Sequence, residues 1–167
     1  KRYLINKFHI NKNKIAIFKF GIDVKFWKYK KYNFNERRHI LSIGNDMNRN
    51  FDLLVDNIPN KDLLFVTNHK KIKKGNYTKI TNISYSQLLK LYHNAKIVII
   101  SSTPLKYENS GLSSALQAMS AGTPVLLSSG QSNEEIFKNN KHCVFFEANN
   151  PSSLKKNFYR LISDVSL

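Results

Sequence analysis

Apolar positions along most of this chain follow two alternating periods, and each change of period marks the start of a new element. Short runs rich in Ile, Val, Leu and Phe are typical of strands, and the unbroken β-branched run at 97–100 is typical of a strand covered on both faces. The predicted strands cover 39–43, 63–67, 77–81, 97–100, 124–128 and 143–146. The pattern therefore predicts six strands.

Between these runs, apolar residues recur three and four positions apart, as on one face of a helix. Helices are predicted around 51–58, 88–95, 113–121, 134–140 and 151–162, with Ser84 or Ser86 capping the second, Gly122 ending the third and Asn150 capping the last. Strands that alternate with helices predict an α/β fold with a doubly wound parallel sheet of the Rossmann type. Right-handed crossovers then bring the carboxyl ends of all strands, and any ligand crevice, to one edge.

The first 38 residues do not follow this scheme. They contain a strand-like run at 14–20, a turn at Gly21-Ile22-Asp23 and a basic aromatic stretch at 26–32 that is typical of a linker. We therefore expect a boundary after residue 38, with a Rossmann-like domain at 39–167.

Length and composition restrict the class of protein. With 167 residues, 41% of them hydrophobic, the chain has the size of one domain and enough apolar content for a core. The single cysteine, Cys143, excludes an internal disulfide, and the scattered histidines show no zinc-ligand spacing. Neither a bilayer-spanning run nor a signal peptide is apparent, which favours a cytoplasmic location.

The formal net charge is +16, from 27 basic and 11 acidic residues. Residues 1–38 hold twelve of the basic residues and two of the acidic ones, and a second cluster comprises Lys70, Lys71, Lys73, Lys74 and Lys79. Such a field attracts phosphate groups of nucleotides, nucleic acid or an anionic membrane face. A general bias toward lysine, of which there are 22 against five arginines, explains the charge equally well.

Two loops at predicted strand ends have the features of an anion site. In the first, 44–50, Gly44 lets a ligand approach the backbone and Arg49 opens the following helix, within reach of a phosphate. The second, 103–114, leads into a helix of small residues whose free N–H groups suit a phosphate, with Ser110 and Ser113 as further donors. The alternatives are a tight turn with an exposed arginine and a simple serine cap.

The run Ser110-Gly111-Leu112-Ser113-Ser114-Ala115-Leu116-Gln117-Ala118-Met119-Ser120-Ala121-Gly122-Thr123-Pro124-Val125 resembles the "G-L-x-x-L-E-A-M-A-x-G-T-P-V" signature of the group 1 (family 4) glycosyltransferases. Three further blocks follow in that family's order. Residues 17–27 resemble its "N-G-V-D-x-x-x-F" crossover between two domains, 41–50 its "G-R-x-x-x-K-G" loop, and 83–99 its "G-x-V-x-x-x-E-L-x-x-x-Y-x-x-A-D-V" stretch. The resemblance covers nearly the whole chain.

This resemblance implies a GT-B transferase, in which two Rossmann-like domains face each other across a cleft. The chain is similar to the C-terminal, donor-binding half, and residues 1–38 to the end of the N-terminal, acceptor-binding domain with the interdomain linker. The polypeptide is therefore expected to be a fragment or an isolated domain that is inactive alone.

The family's site residues correspond only in part to residues of this chain. Its Arg and Lys, which clamp the donor diphosphate, correspond to the vicinity of Asn45 and Arg49, so Arg49 carries most of that role. Its two glutamates, one near the transferred sugar and one on the donor ribose, correspond to Glu108 or Asn109 and to Gln117. Other residues that the resemblance places at the donor are Gly44, Ile83, Ser110, Gly111, Leu112 and Ser113, with Glu134 or Glu135 matching a glutamate after the fifth strand.

The implied reaction is transfer of a sugar, with retention, from a UDP- or GDP-linked donor to a glycan or lipid-linked acceptor in surface polysaccharide or glycoconjugate synthesis. The positive crevice stabilises the diphosphate leaving group. No cofactor or metal is expected, because the chain has no Asp-x-Asp motif. The basic N-terminal segment suggests peripheral association with an anionic membrane at its inner face.

Other functions remain open at this stage. Trp27, Tyr29 and Tyr32 among lysines are compatible with single-stranded nucleic acid, although no recognition module is present and nucleic acid is not the expected partner. Asn45 and Gln117 suggest a donor-binding relic without activity. A nucleotide-sugar epimerase has the same architecture.

Overall fold

The computed structural model describes residues 2–16, 18–31, 34–103 and 110–163. Their main element is one parallel six-stranded sheet with the strand order β3-β2-β1-β4-β5-β6. The strands are β1 (His39–Ile43), β2 (Leu63–Val66), β3 (Thr78–Ile80), β4 (Ala95–Ile100), β5 (Val125–Ser128) and β6 (Val144–Phe146). The doubly wound parallel sheet that the sequence predicts is confirmed, each strand within two residues of its expected ends.

The described residues also form helices, and four of them pack on the two faces of this sheet. The helices are α1 (Arg2–Phe8), α2 (Phe51–Asn57), α3 (Tyr85–Asn94), α4 (Leu112–Ser120), α5 (Gln131–Ile136) and α6 (Pro151–Ser163), with short 3₁₀ turns at Lys12–Lys14, Phe34–Glu36 and Asn60–Asp62. Two apolar clusters result. Side chains of α3 and α4 pack on one face of the sheet, and side chains of α2 and α6 on the other. After β1 the chain adds β2 and β3 on one side, and after β4 it adds β5 and β6 on the other side. The crevice between the carboxyl ends of β1 and β4 is therefore the switch point, where such sheets bind ligands.

Helix boundaries follow local chemistry. Ser84 caps α3 in a capping box with Gln87, which settles the choice between Ser84 and Ser86. Gly122 ends α4 with a φ of +79°, a left-handed conformation that glycine adopts without strain. The bounds predicted for the helix at 134–140 are wrong. The helix α5 ends at Ile136, and Phe137 adopts an extended conformation that buries its side chain in the core.

The strand predicted at 14–20 does not form in the described part of that run. Lys12–Lys14 is a 3₁₀ turn, and Phe18 and Phe20 are exposed, while Ile17 lies outside the described residues. An extended segment needs a neighbour for its backbone hydrogen bonds, and no strand of the sheet lies beside this one. The β-branched and aromatic composition of this run is therefore insufficient by itself to form a strand.

The stretch predicted as a linker is packed against the sheet domain. Trp27 is 6% exposed, and its ring lies 5.8 Å from the Tyr92 ring and 5.9 Å from the Tyr85 ring of α3. The Ser120 hydroxyl donates to the carbonyl of Trp27 at 2.6 Å, and Arg37 donates to the Gly122 carbonyl at 2.7 Å. Trp27 is therefore part of the core and unavailable for stacking on nucleic-acid bases, whereas Tyr32 lies outside the described residues.

Candidate functional site

The two loops that follow β1 and β4 meet at the switch point of the sheet. The backbone of Arg49 pairs with that of Ser102 in an isolated bridge, the amide of Asn50 donates to the Ser101 carbonyl at 3.0 Å, and that of Thr103 to the Asn48 carbonyl at 2.9 Å. Asn48, Arg49 and Asn50 of the first loop therefore run alongside the start of the second loop. Arg49 precedes α2, whose cap is Asn50, so the expectation that Arg49 opens the helix is wrong.

The Arg49 guanidinium is buried between these loops, with 8% of the residue exposed. Its Nη1 donates to the Ser102 hydroxyl at 3.0 Å, and its Nε has no hydrogen-bond partner among the described residues. The interpretation as a tight turn with an exposed arginine is therefore wrong. Burial lowers the pKa of Arg49, an effect that the charge of Asp46 partly offsets, yet a guanidinium remains protonated at neutral pH.

Two glycines make room for this guanidinium, one from each loop. Gly44 has a φ of +143° and Gly111 a φ of +92°, both in the region that favours glycine. A Cβ on Gly44 would lie 2.8 Å from Arg49 Nη2, and one on Gly111 would lie 2.7 Å from Arg49 Nη1. Close approach to Arg49 and the backbone angle therefore require glycine at both positions.

Serine hydroxyls connect the guanidinium to the neighbouring strands. The Ser102 hydroxyl is 2.9 Å from that of Ser110, and the Ser102 amide donates to the Ser128 hydroxyl at 3.1 Å. All three serines are buried. Ser102 and Ser128 were not among the predicted site residues, although a polar residue at or directly after the end of a buried apolar strand is a signal for this edge.

The start of α4 is open toward this cluster. Gly111 occupies the N-cap position without a side-chain hydrogen bond, Ser110 bonds to Ser102 instead, and Ser113 is exposed. The alternative of a simple serine cap is therefore wrong. Leu112, the first helical residue, packs partly buried against the core. The uncapped first-turn N–H groups and the partial positive charge of the helix end lie beside Arg49, an arrangement that suits an anion.

One carboxylate, Asp46, lies in the same loop. Its Oδ1 accepts from the amide of Asn48 at 2.9 Å. Although burial acts to raise its pKa, the hydrogen bonds from Asn48 and Ser110 and the charge of Arg49 together lower it, so Asp46 is ionised at neutral pH. The site thus contains one buried positive charge and one acidic group at its rim.

A cleft of about 310 Å³ adjoins this cluster on the β2 side. It includes Gly44, Asn45 and Ile83, three of the residues that the resemblance places at the donor. The other lining residues are Ile43, Val66, Thr67, Asn68, Asn82, Tyr85 and Leu88. The Asn45 side-chain oxygen accepts from the amide of Asn68 at 2.7 Å, so this side chain braces the loop after β2.

The remaining expected site residues lie on α4 and α5 or outside the described residues. Gln117 is half-buried on α4, where its Oε1 accepts from the Tyr92 hydroxyl at 3.2 Å. Glu134 and Glu135 are exposed on α5. Glu108 and Asn109 lie outside the described residues. In the part that the structure describes, no three His, Cys, Asp or Glu side chains are grouped as metal ligands, and no helix is long and apolar enough to cross a membrane.

Solved structures share this fold. A glycosyltransferase from Rickettsia africae superposes with a TM-score of 0.72 at 14% identity, over 99% of this chain and 51% of that one. The Anabaena protein HepE, crystallised with UDP-glucose, superposes with a TM-score of 0.67 at 10% identity, over 86% of this chain and 46% of that one. The C-terminal domain of the group 1 glycosyl transferase LpcC from Francisella tularensis superposes with a TM-score of 0.61 at 14% identity, over 86% of this chain and 89% of that one. This likeness shows the Rossmann-like fold of a GT-B half.

Sequence comparison supports the same relationship. An uncharacterised glycosyltransferase of Methanocaldococcus jannaschii is 40% identical over 77 residues, which are 46% of this chain and 19% of that protein. The match thus spans about a fifth of the length of that curated relative. The model of the family described as glycosyl transferases group 1 matches residues 32–167. The chain therefore belongs to the group 1 glycosyl transferases.

Proposed function

We propose that this chain binds the nucleotide diphosphate sugar donor, UDP- or GDP-linked, of a retaining glycosyltransferase that uses no metal. The observation that carries the proposal is the Arg49 guanidinium, buried where two loops meet at the switch point and flanked by the open start of α4. The Anabaena neighbour is described with UDP-glucose, which supports a nucleotide-linked ligand.

In this proposal the diphosphate lies against Arg49 and the first turn of α4, and the nucleoside occupies the cleft beside Gly44 and Ile83. Both groups are in place before the reaction, so they stabilise negative charge as it develops on the leaving diphosphate. Gln117 is proposed to hydrogen-bond the ribose, and Glu108 or Asn109 to lie at the transferred sugar. The acceptor, a glycan or lipid-linked molecule, is bound mainly by residues outside this chain.

The test is a binding screen of the chain against UDP, GDP, ADP and CMP and their sugars, by thermal shift and then calorimetry. UDP or GDP is expected to raise Tm, because a ligand that binds only the folded state stabilises it. Arg49→Ala is expected to lower that affinity about 100-fold, since it removes charge-assisted hydrogen bonds to phosphate. Arg38→Ala, an exposed arginine, is the matched control and should leave binding unchanged. Equal affinity of the Arg49→Ala variant and the unmodified chain would refute the proposal.

A second candidate is a donor-binding protein without transferase activity. It is favoured by Asn45, whose side chain braces the neighbouring loop where the family has a cationic ligand of the diphosphate. Donor binding without transfer to any acceptor, and without donor hydrolysis, in the full-length polypeptide would support it. Turnover of the donor alone to a second nucleotide sugar would instead indicate an epimerase.

We also propose that the N-terminal segment contacts an anionic membrane surface. Every described lysine in residues 2–31 is exposed, and Phe18 and Phe20, 91% and 58% exposed, lie on either side of Lys19. Lysines with exposed aromatic residues favour peripheral binding to anionic lipid. The chain is expected to co-sediment with phosphatidylserine vesicles at low salt and to dissociate at high salt. Equal binding to neutral vesicles at any salt concentration contradicts this proposal.

A further inference from the structure

Tyr92 is a buried polar side chain that the proposed donor contacts do not use. It is fully buried, and its backbone carbonyl accepts from the Thr123 hydroxyl at 2.7 Å. The Trp27 ring packs edge-on against its ring, so the side chain is held on three sides by α3, α4 and the segment before β1. Its hydroxyl donates to Gln117 Oε1 at 3.2 Å. Tyr92 therefore occupies a rigid position directly behind Gln117.

The hydrogen-bond pattern gives this contact a direction. The hydrogen bond with the Ser114 hydroxyl and the charge of Arg49 act to lower the pKa of Tyr92. Burial nonetheless raises the pKa of Tyr92, so the phenol keeps its proton at neutral pH. The phenol hydroxyl therefore has a proton to donate, and it donates to Gln117 Oε1. The amide oxygen of Gln117 is then occupied, and its two N–H groups face the opposite way.

Gln117 and Tyr92 belong to the same region as the anion site. Gln117 lies on α4, whose N-cap is Gly111, and a Cβ added to Gly111 would lie 2.7 Å from Arg49 Nη1. Gln117 is half-buried and thus partly open to solvent. An amide can turn over and exchange its donor and acceptor ends, whereas a carboxylate has two equivalent oxygens. A glutamine at a ligand contact therefore needs a partner that fixes its orientation.

We propose that Tyr92 is a positioning residue that fixes the Gln117 amide so that Nε2 donates to a ribose hydroxyl oxygen of the donor. This inference rests on the proposed function, and it adds a direction to the contact. The ribose is recognised as a hydrogen-bond acceptor, whereas a carboxylate at this position would recognise it as a donor. Ser114 supports the same orientation through the phenol oxygen.

The test is a double-mutant cycle with Tyr92→Phe and Gln117→Glu, measured by calorimetry with UDP, GDP and inorganic pyrophosphate. Tyr92→Phe is expected to weaken UDP or GDP binding about five-fold with Gln117 in place, since it releases one oriented hydrogen bond. In the Gln117→Glu background the same change is expected to have little effect, because the carboxylate needs no orientation. Pyrophosphate, which lacks ribose, is expected to bind with the same affinity with and without the Tyr92→Phe change, in either background.

Tyr77→Phe, a second partly buried tyrosine that packs on Phe65, is the matched control for loss of a phenol hydroxyl. Ser114→Ala is a milder variant, which is expected to lower UDP or GDP affinity two- to three-fold, about half the effect of Tyr92→Phe in free energy. This loss is expected only when Gln117 is retained. An equal loss in both backgrounds, or a loss of pyrophosphate affinity, shows a merely structural role and overturns the inference alone. Absence of UDP and GDP binding by the unmodified chain overturns the proposed function and this inference together.

Discussion

Arg49 and the lysines of the loop after β2 carry the same formal charge in different surroundings. Arg49 is buried between two glycine-containing loops and bonded to Ser102. Lys70, Lys71 and Lys74 are exposed on the loop that follows Asn68, itself part of the cleft wall. A charge in water is screened within about 8–10 Å at physiological salt, whereas a desolvated charge acts strongly on its immediate neighbours. One buried guanidinium can therefore define a binding position that several exposed ammonium groups cannot.

The same comparison applies to backbone geometry. Around Arg49 the chain uses glycines at positive φ, and each would bring a Cβ within 3 Å of the guanidinium. Gly130, at the start of α5, has no atom within 4 Å of an added Cβ. The glycines at the switch point thus leave the space that the guanidinium occupies, whereas Gly130 borders open space. The predictions that follow test this difference between buried and exposed charge.

The largest effect is expected for Gly111→Ala. The added Cβ meets Arg49 and Ile100 at a φ of +92°, so both strain and overlap oppose it. The free energy of unfolding is expected to fall by about 3 kcal/mol in urea titration. Gly130→Ala serves as the control and should change it by less than about 1 kcal/mol. Equal effects of the two substitutions would show that the packing around Arg49 is not tight.

Arg49→Lys separates charge from shape. Lysine keeps the positive charge but loses the planar fork that bonds Ser102 and presents Nε. UDP or GDP affinity is expected to fall about ten-fold, less than for Arg49→Ala, because a point charge still attracts phosphate. Calorimetry on both variants measures the difference. Full retention of affinity by the lysine variant would mean that charge alone matters at this position.

Asp46→Asn is expected to have the opposite sign. Removing a carboxylate next to the proposed diphosphate position relieves repulsion, while the amide oxygen still accepts from the Asn48 amide. Affinity for UDP or GDP is expected to increase about three-fold, which calorimetry can resolve. Asp56→Asn, which removes an exposed ion pair with Lys73, is the control and should leave affinity unchanged. Weaker binding by the Asp46→Asn variant would assign the carboxylate a supporting role.

The smallest effect is expected for the triple variant Lys70→Ser, Lys71→Ser, Lys74→Ser. These exposed charges attract anions only through the screened field. Nucleotide affinity at physiological salt is expected to change by less than about two-fold, and its dependence on salt concentration to become shallower. Stopped-flow titrations at two ionic strengths provide the measurement. A loss comparable to that of Arg49→Lys would place these lysines in direct contact with the ligand.

Most of the fold was predictable from the sequence, because the hydrophobic periodicity and the turn and capping residues of 39–163 indicate the same elements. The run 97–100 became β4, paired on both sides and fully buried, as its β-branched composition indicates. The described part of the similar run at 14–20 did not form a strand, because pairing depends on a neighbouring strand, which composition does not reveal. Local pattern was therefore sufficient only where the rest of the chain supplied partners.

The candidate site was predictable in part. Gly44, Arg49 and Gly111 were singled out from two loops, and the structure brings them together. Local sequence contains no signal that Arg49 is buried or that Ser102 and Ser128 hold this cluster. The stretch around Trp27 has the composition of a linker, yet Trp27 is buried. These features depend on contacts between residues far apart in the chain, which no local pattern records.

The sequence by itself determined the elements, their alternation and hence the edge of the sheet at which a ligand can bind, because hydrophobic period and turn residues act locally. Tertiary structure alone decided the environment of individual groups. Arg49 became a buried charge rather than one more exposed cation, and the Tyr92 hydroxyl came to face Gln117. Desolvation and hydrogen-bond direction are properties of a side chain's neighbours, and only the folded chain brings those neighbours together.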